Sequence, residues 1–145
     1  MKNAMAIATF VALAAVSSSV PVQAADVASD AATVKRQAVV IPSLKQAAAS
    51  AAGYQSANIH VTSTAHQVTI KVVNGKLNGA VTTDRDAEAA TIVSAIAKAI
   101  AGKPEFAQVV IIHVDYVKQA GNKATVVQGI DFNKAPDGAF ALHKS

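Results

Sequence analysis

From Ile59 to Leu142, apolar and polar residues exchange at every second position in several separate runs. That alternation constrains the fold more than any other feature of the chain. Ile59 and Val61 alternate with His60 and Thr62, and Val68, Ile70 and Val72 with Gln67, Thr69 and Lys71. Successive side chains of an extended backbone point to opposite faces, so period-two patterning with β-branched residues predicts half-buried strands. "QVVIIHVDYVK", "ATVVQGIDF" and "AFALH" predict three more. "STAH", "QAGNK" and "NKAPDGA" are short turn-forming links, which favour antiparallel neighbours.

Two segments carry helical signals instead. In "PSLKQAAASAAG", Pro42 suits a first turn and Gly53 a stop, with Leu44, Ala47, Ala48 and Ala51 as a narrow apolar stripe. In "TTDRDAEAATIVSAIAKAIAGKP", Ile92, Val93, Ile96 and Ile100 recur at helical spacing. Gly102 ends that helix and Pro104 prevents its continuation. The order helix, strand, strand, helix, then three strands implies an α+β fold: a mostly antiparallel sheet of about five strands, with the two helices packed on one face.

The N-terminus reads as an address. Lys2, the apolar run "AMAIATFVALAAV" and "SSSVPVQA" with small residues at Val22 and Ala24 form the pattern of a secretory signal peptide over residues 1–24. The apolar run is short for a membrane span, which needs about 20 residues, so no transmembrane span is expected after cleavage. Ala-rich residues 25–41 read as a flexible leader, and residues 42–145 as a single domain of ordinary size. A chain with no cysteine that is nevertheless exported fits a bacterial envelope protein, periplasmic or secreted. The net charge of +4 includes Lys2 and is too mild for a nucleic-acid footprint.

Sorting the strands by parity places Val110, Ile112, Val114, Tyr116, Val126, Ile130, Phe132, Phe140 and Leu142 toward the helices. Burial of each large side chain is worth roughly 1.5–3 kcal/mol, so this set largely decides the fold. The opposite face collects His60, Thr62, Gln67, Thr69, Lys71, His113, Asp115, Asp131 and His143. One polar face is ordinary for an antiparallel sheet. Imidazoles and carboxylates gathered there could also hold a metal or small ligand. Val109, Ile111 and Val117 fall on the same face, an apolar patch where none is needed. The candidate ligand or partner face is therefore Val109, Ile111, His113, Asp115, Val117 and Asp131.

Catalytic signals are absent from the sequence. There is no GxSxG elbow, no HExxH and no Gly-rich phosphate loop. Asp84, Asp86 and Glu88 read as favourable charges at a helix start. No cofactor and no enzymatic activity are expected.

"LKQAAASAAGYQSANIHVTSTAHQVTIKVV", "DAEAATIVSAIAKAI" and "VVIIHV" together resemble a BON domain, a small bacterial envelope module of αββαβ order. The resemblance spans Leu44 to Val117 and departs from the family in placing the glycines of "NGKLNG" at a turn. It implies binding at an envelope or phospholipid surface rather than catalysis. The expected function is a non-enzymatic envelope protein that binds an envelope protein or a lipid surface through one sheet face, with homo-oligomers as a further expectation. The alternative is a metal- or small-ligand-binding periplasmic protein that uses the His113 and Asp115 face.

Overall fold

Helix α1 spans Val22–Ala52 and is followed by two antiparallel strands, β1 (Ile59–Ser63) and β2 (Gln67–Val73). The computed structural model describes residues 22–143, with side chains from residue 28 onward, so most of the expected signal peptide lies outside the described residues. Helix α2 (Thr82–Ile100) then crosses to β3 (Ile111–Ala120), which lies parallel to β2. Strands β4 (Lys123–Lys134) and β5 (Phe140–Leu142) complete an antiparallel meander. The sheet has five strands in the order β1-β2-β3-β4-β5, and the α+β class read from the sequence is the class observed.

The core is the face of the sheet that meets both helices. Ile59, Val68, Ile70, Val72, Ile112 and Val114 from the strands, with Leu44, Ala48, Ile92 and Ile96 from the helices, are all completely buried. Gly53 and Gly102, the predicted helix stops, have φ of 67° and 72°. Both glycines thus use the left-handed conformation that ends a helix without a Cβ clash.

Residues 25–41 correct the sequence reading. They are helical and continuous with the rest of α1, and Pro42 lies inside the helix rather than in its first turn. From residue 28 onward its buried positions are Thr33, Gln37, Leu44, Ala48, Ala49 and Ala52. Their spacing is helical, but the first two members are polar, which hid the stripe. Gln37 is completely buried, and its Nε2 donates to the Glu105 carbonyl at 2.7 Å. A proline in a helix interior leaves the carbonyl four residues earlier without its donor. Here both Ala38 and Pro42 are exposed, so water can meet that carbonyl.

The parity assignment of β3 and β4 also needs correction at both ends. The amides of Val110 and Ile111 both donate to the His66 carbonyl, at 2.9 and 3.3 Å. Two residues thus oppose one acceptor, as in a bulge, and the alternation resets. Val109 is consequently completely buried and Val110 is 48% exposed. At the other end Tyr116 pairs with Gln128 but Val117 pairs with Val126, so Val127 is an extra residue in β4. The slip turns Val126 away from the helices, and it is 56% exposed.

Candidate functional site

The central open face is built on three neighbouring strands. Register places His113 between Thr69 of β2 and Asp131 of β4, and Asp115 between Lys71 and Gly129. His113 and Asp115 are two residues apart on one extended strand and share a face. The His113 ring reaches both carboxylates: Nδ1 lies 2.6 Å from Asp131 Oδ1, and Nε2 lies 2.8 Å from Asp115 Oδ1. A neutral imidazole has one N–H, whereas two such bonds call for the doubly protonated ring.

Gly129 makes this arrangement possible. A Cβ there would lie 3.1 Å from His113 Cε1 and 3.2 Å from Asp115 Oδ1. The ring therefore occupies space that any other residue would claim. The side chains of His113 and Asp115 are 23% and 15% exposed, and that of Asp131 is 51% exposed. Burial works to lower the imidazole pKa. Hydrogen bonds to Asp131 and Asp115 and the charges of both carboxylates outweigh it, so the pKa stands above its ordinary value.

These contacts determine what the site can do. Both ring nitrogens are occupied and point in opposite directions, so neither is free to act as a base or a metal ligand. Among the described residues, no three histidine or acidic side chains converge to hold a metal ion. The cluster is a fixed arrangement of charge on an open surface.

Of the candidate face, the structure brings together His113, Asp115 and Asp131. Val109 belongs to the hydrophobic core, so it is not part of any surface. Val117 is 5% exposed, paired between Val73 and Val126, and Ile111 is half-buried at the start of β3. The apolar patch that motivated a partner face thus loses two of its three members. His143 approaches through its backbone, where its N–H donates to the Asp131 carbonyl at 2.8 Å, and its side chain is exposed.

A second polar cluster lies on the helix side. The Tyr54 hydroxyl donates to Glu88 Oε1 at 3.1 Å, and the Tyr116 hydroxyl lies 3.0 Å from the Arg85 carbonyl and 3.2 Å from Glu88 Oε1. Arg85, 8% exposed, donates to the carbonyls of Leu77 and Ala80 and to Gln128, whose amide donates to Asp86. Burial and the Glu88 charge push the Tyr54 pKa up to about 12, and the same causes raise that of Tyr116. Asp86 and Glu88 at the start of α2 thus tie α2 to the segment after α1 and to β3 and β4. Counting Tyr116 among the apolar residues had concealed its part in this. No family model, curated protein or solved structure matches the chain.

Proposed function

We propose that this chain is an exported, non-enzymatic binding protein whose open sheet face engages a protein or lipid surface of the cell envelope. One observation carries the reading. Both helices cover the same face of the sheet, and at the centre of the other face His113 is bonded on both nitrogens to carboxylates. Such a group presents charge at a fixed place, which suits binding. Thr69, Lys71, Asp115 and Asp131 surround it and supply hydrogen-bonding and charged partners. The N-terminal export pattern supports the location. The order from α1 to β3 is αββαβ, the layout that the BON resemblance implies. Among the described residues, no helix is long and apolar enough to cross a membrane, so lipid contact would be made from the surface.

The test is co-sedimentation with phosphatidylglycerol vesicles, beside affinity capture from solubilised envelope protein. The double variant Thr69→Arg, Lys71→Glu alters the open face, and Ser94→Glu alters the exposed side of α2. Binding in either arm that is lost in the first variant and kept in the second is the expected result. Equal binding by both variants, or none by the wild type in either arm, would overturn the proposal.

A further inference from the structure

Between the last turns of α2 and the β4–β5 hairpin, the helix side of the sheet is not closed. A cavity of about 370 Å³ opens there, walled by Ala97 and Ile100 of α2, Phe106 of the turn that follows, and Phe140 of β5. It continues into a second hollow of about 330 Å³, which shares Ala97, Ala101 and Phe140 and runs on over Ala90, Val93 and Phe132. Both volumes fall at the low end of the roughly 300–1,000 Å³ of ordinary ligand pockets. Val93, Ile100, Phe106 and Phe132 are buried, yet Phe140 among them is only half-buried. The small residues of α2 leave the depth: Ala97 stands where the two hollows meet, and a larger side chain there would fill the junction.

Charge selects the occupant. Lys103 and Lys134 line the first cavity. Lys134 continues the parity of the buried Ile130 and Phe132 and pairs with Phe140, so strand geometry turns its side chain to the helix side. A lysine stem can lie along such apolar walls with its ammonium at the mouth. No acidic residue lines either hollow. Asp137, on the neighbouring turn, accepts the Ala139 amide at 3.0 Å. Among the described residues, neither lysine is paired with a carboxylate. The C-terminal end of α2 opposes an anion only weakly. Its Ala97 and Ile100 carbonyls already accept the amides of Ala101 and Lys103, at 3.0 and 3.1 Å, and a helix end carries only about half a charge.

We propose that this groove binds a single-chain fatty acid, its carboxylate held between Lys103 and Lys134 and its acyl chain laid along Ala97, Phe140 and Phe132. A narrow elongated channel suits one acyl chain rather than the two of a phospholipid. An inorganic anion would leave the apolar walls wet, and a neutral or cationic amphiphile would leave both ammonium groups without a partner. The groove lies on the opposite side of the sheet from His113, so it stands independently of the function proposed above.

The test is calorimetric titration of the intact chain with dodecanoate, kept below the concentration at which it forms micelles. One site per chain is expected. Dodecanol, with the same chain and no charge, should bind about tenfold more weakly, and dodecyltrimethylammonium should not bind there. Lys103→Glu and Lys134→Glu should each weaken dodecanoate binding by about tenfold or more. Lys123→Glu, the same change of charge at the β3–β4 turn, should leave it as it was. Ala97→Leu should block the chain's path, with an unchanged far-UV spectrum showing that the variant folds. No binding of dodecanoate by the wild type overturns the proposal. So do equal binding of all three amphiphiles, a loss in Lys123→Glu as large as in the groove variants, and undiminished binding by a folded Ala97→Leu. Tighter binding of lysophosphatidylglycerol than of dodecanoate would also overturn it, since a phospholipid would then be the occupant.

Discussion

At Gly129 the missing side chain is the feature that matters. A methyl group there would meet His113 and Asp115 closer than ordinary van der Waals contact, so the larger Gly129→Val should push the ring off its two carboxylates. The expected result is a fall of the His113 pKa toward the ordinary value of about 6.5, read from the imidazole proton shifts in an NMR titration; an unchanged value would refute it. The same group links stability to pH. Its folded pKa is raised above the unfolded one, so its contribution is fully present below the unfolded value and is lost as pH rises through the folded value. Urea unfolding of wild type beside His113→Gln should therefore show a gap that narrows as pH is raised. A gap that widens would mean the ring is bound neutral. The two tyrosines provide a second titration. With Tyr54 pushed up to about 12 and Tyr116 also raised, tyrosinate absorbance should be nearly absent at the ordinary tyrosine pKa of about 10 and appear there once the chain is unfolded.

At the scale of elements, α1 makes the sharpest prediction. If residues 25–41 were only a leader, Gln37→Ala would leave stability unchanged. Because Gln37 is buried and bonded to the turn at Glu105, the substitution should cost about 1–3 kcal/mol in chemical unfolding. Much of the architecture was legible in the sequence. Alternation in β1 and β2 and the isoleucine stripe of α2 are strong local signals, and they correspond to observed elements. What was not legible depended on contacts between distant segments. The start of α1 was missed because its buried face begins with Thr33 and Gln37, polar residues whose burial depends on the turn before β3. Val109, Val110 and Val126 were assigned to the wrong face because parity holds only while the register does, whereas Val117 keeps its face and is buried there. A shared acceptor at His66 and an extra residue at Val127 both break it, and neither leaves a local mark. The polar cluster was half visible: parity put His113, Asp115 and Asp131 on one face, but that the ring would join both carboxylates required the register and the gap over Gly129.

For the whole molecule, the arrangement of the cluster predicts its response to metals. A ligand that binds only the folded chain stabilises it by RT ln(1 + [L]/Kd). Zinc should therefore leave the melting temperature unchanged, since the donors do not converge. A rise that disappears in His113→Ala would instead make this face a metal site. Strand order bears on how the chain assembles. Strands adjacent in the sheet are adjacent in the chain, and all but one pair are joined by tight turns. The exception is the parallel seam between β2 and β3, whose closure spans α2. Closing a long loop carries an entropic penalty before its contacts form. The β1–β2 pair and the β3–β4–β5 meander can each form locally, so the docking of these two halves along one line of hydrogen bonds is expected to be the slow step in folding.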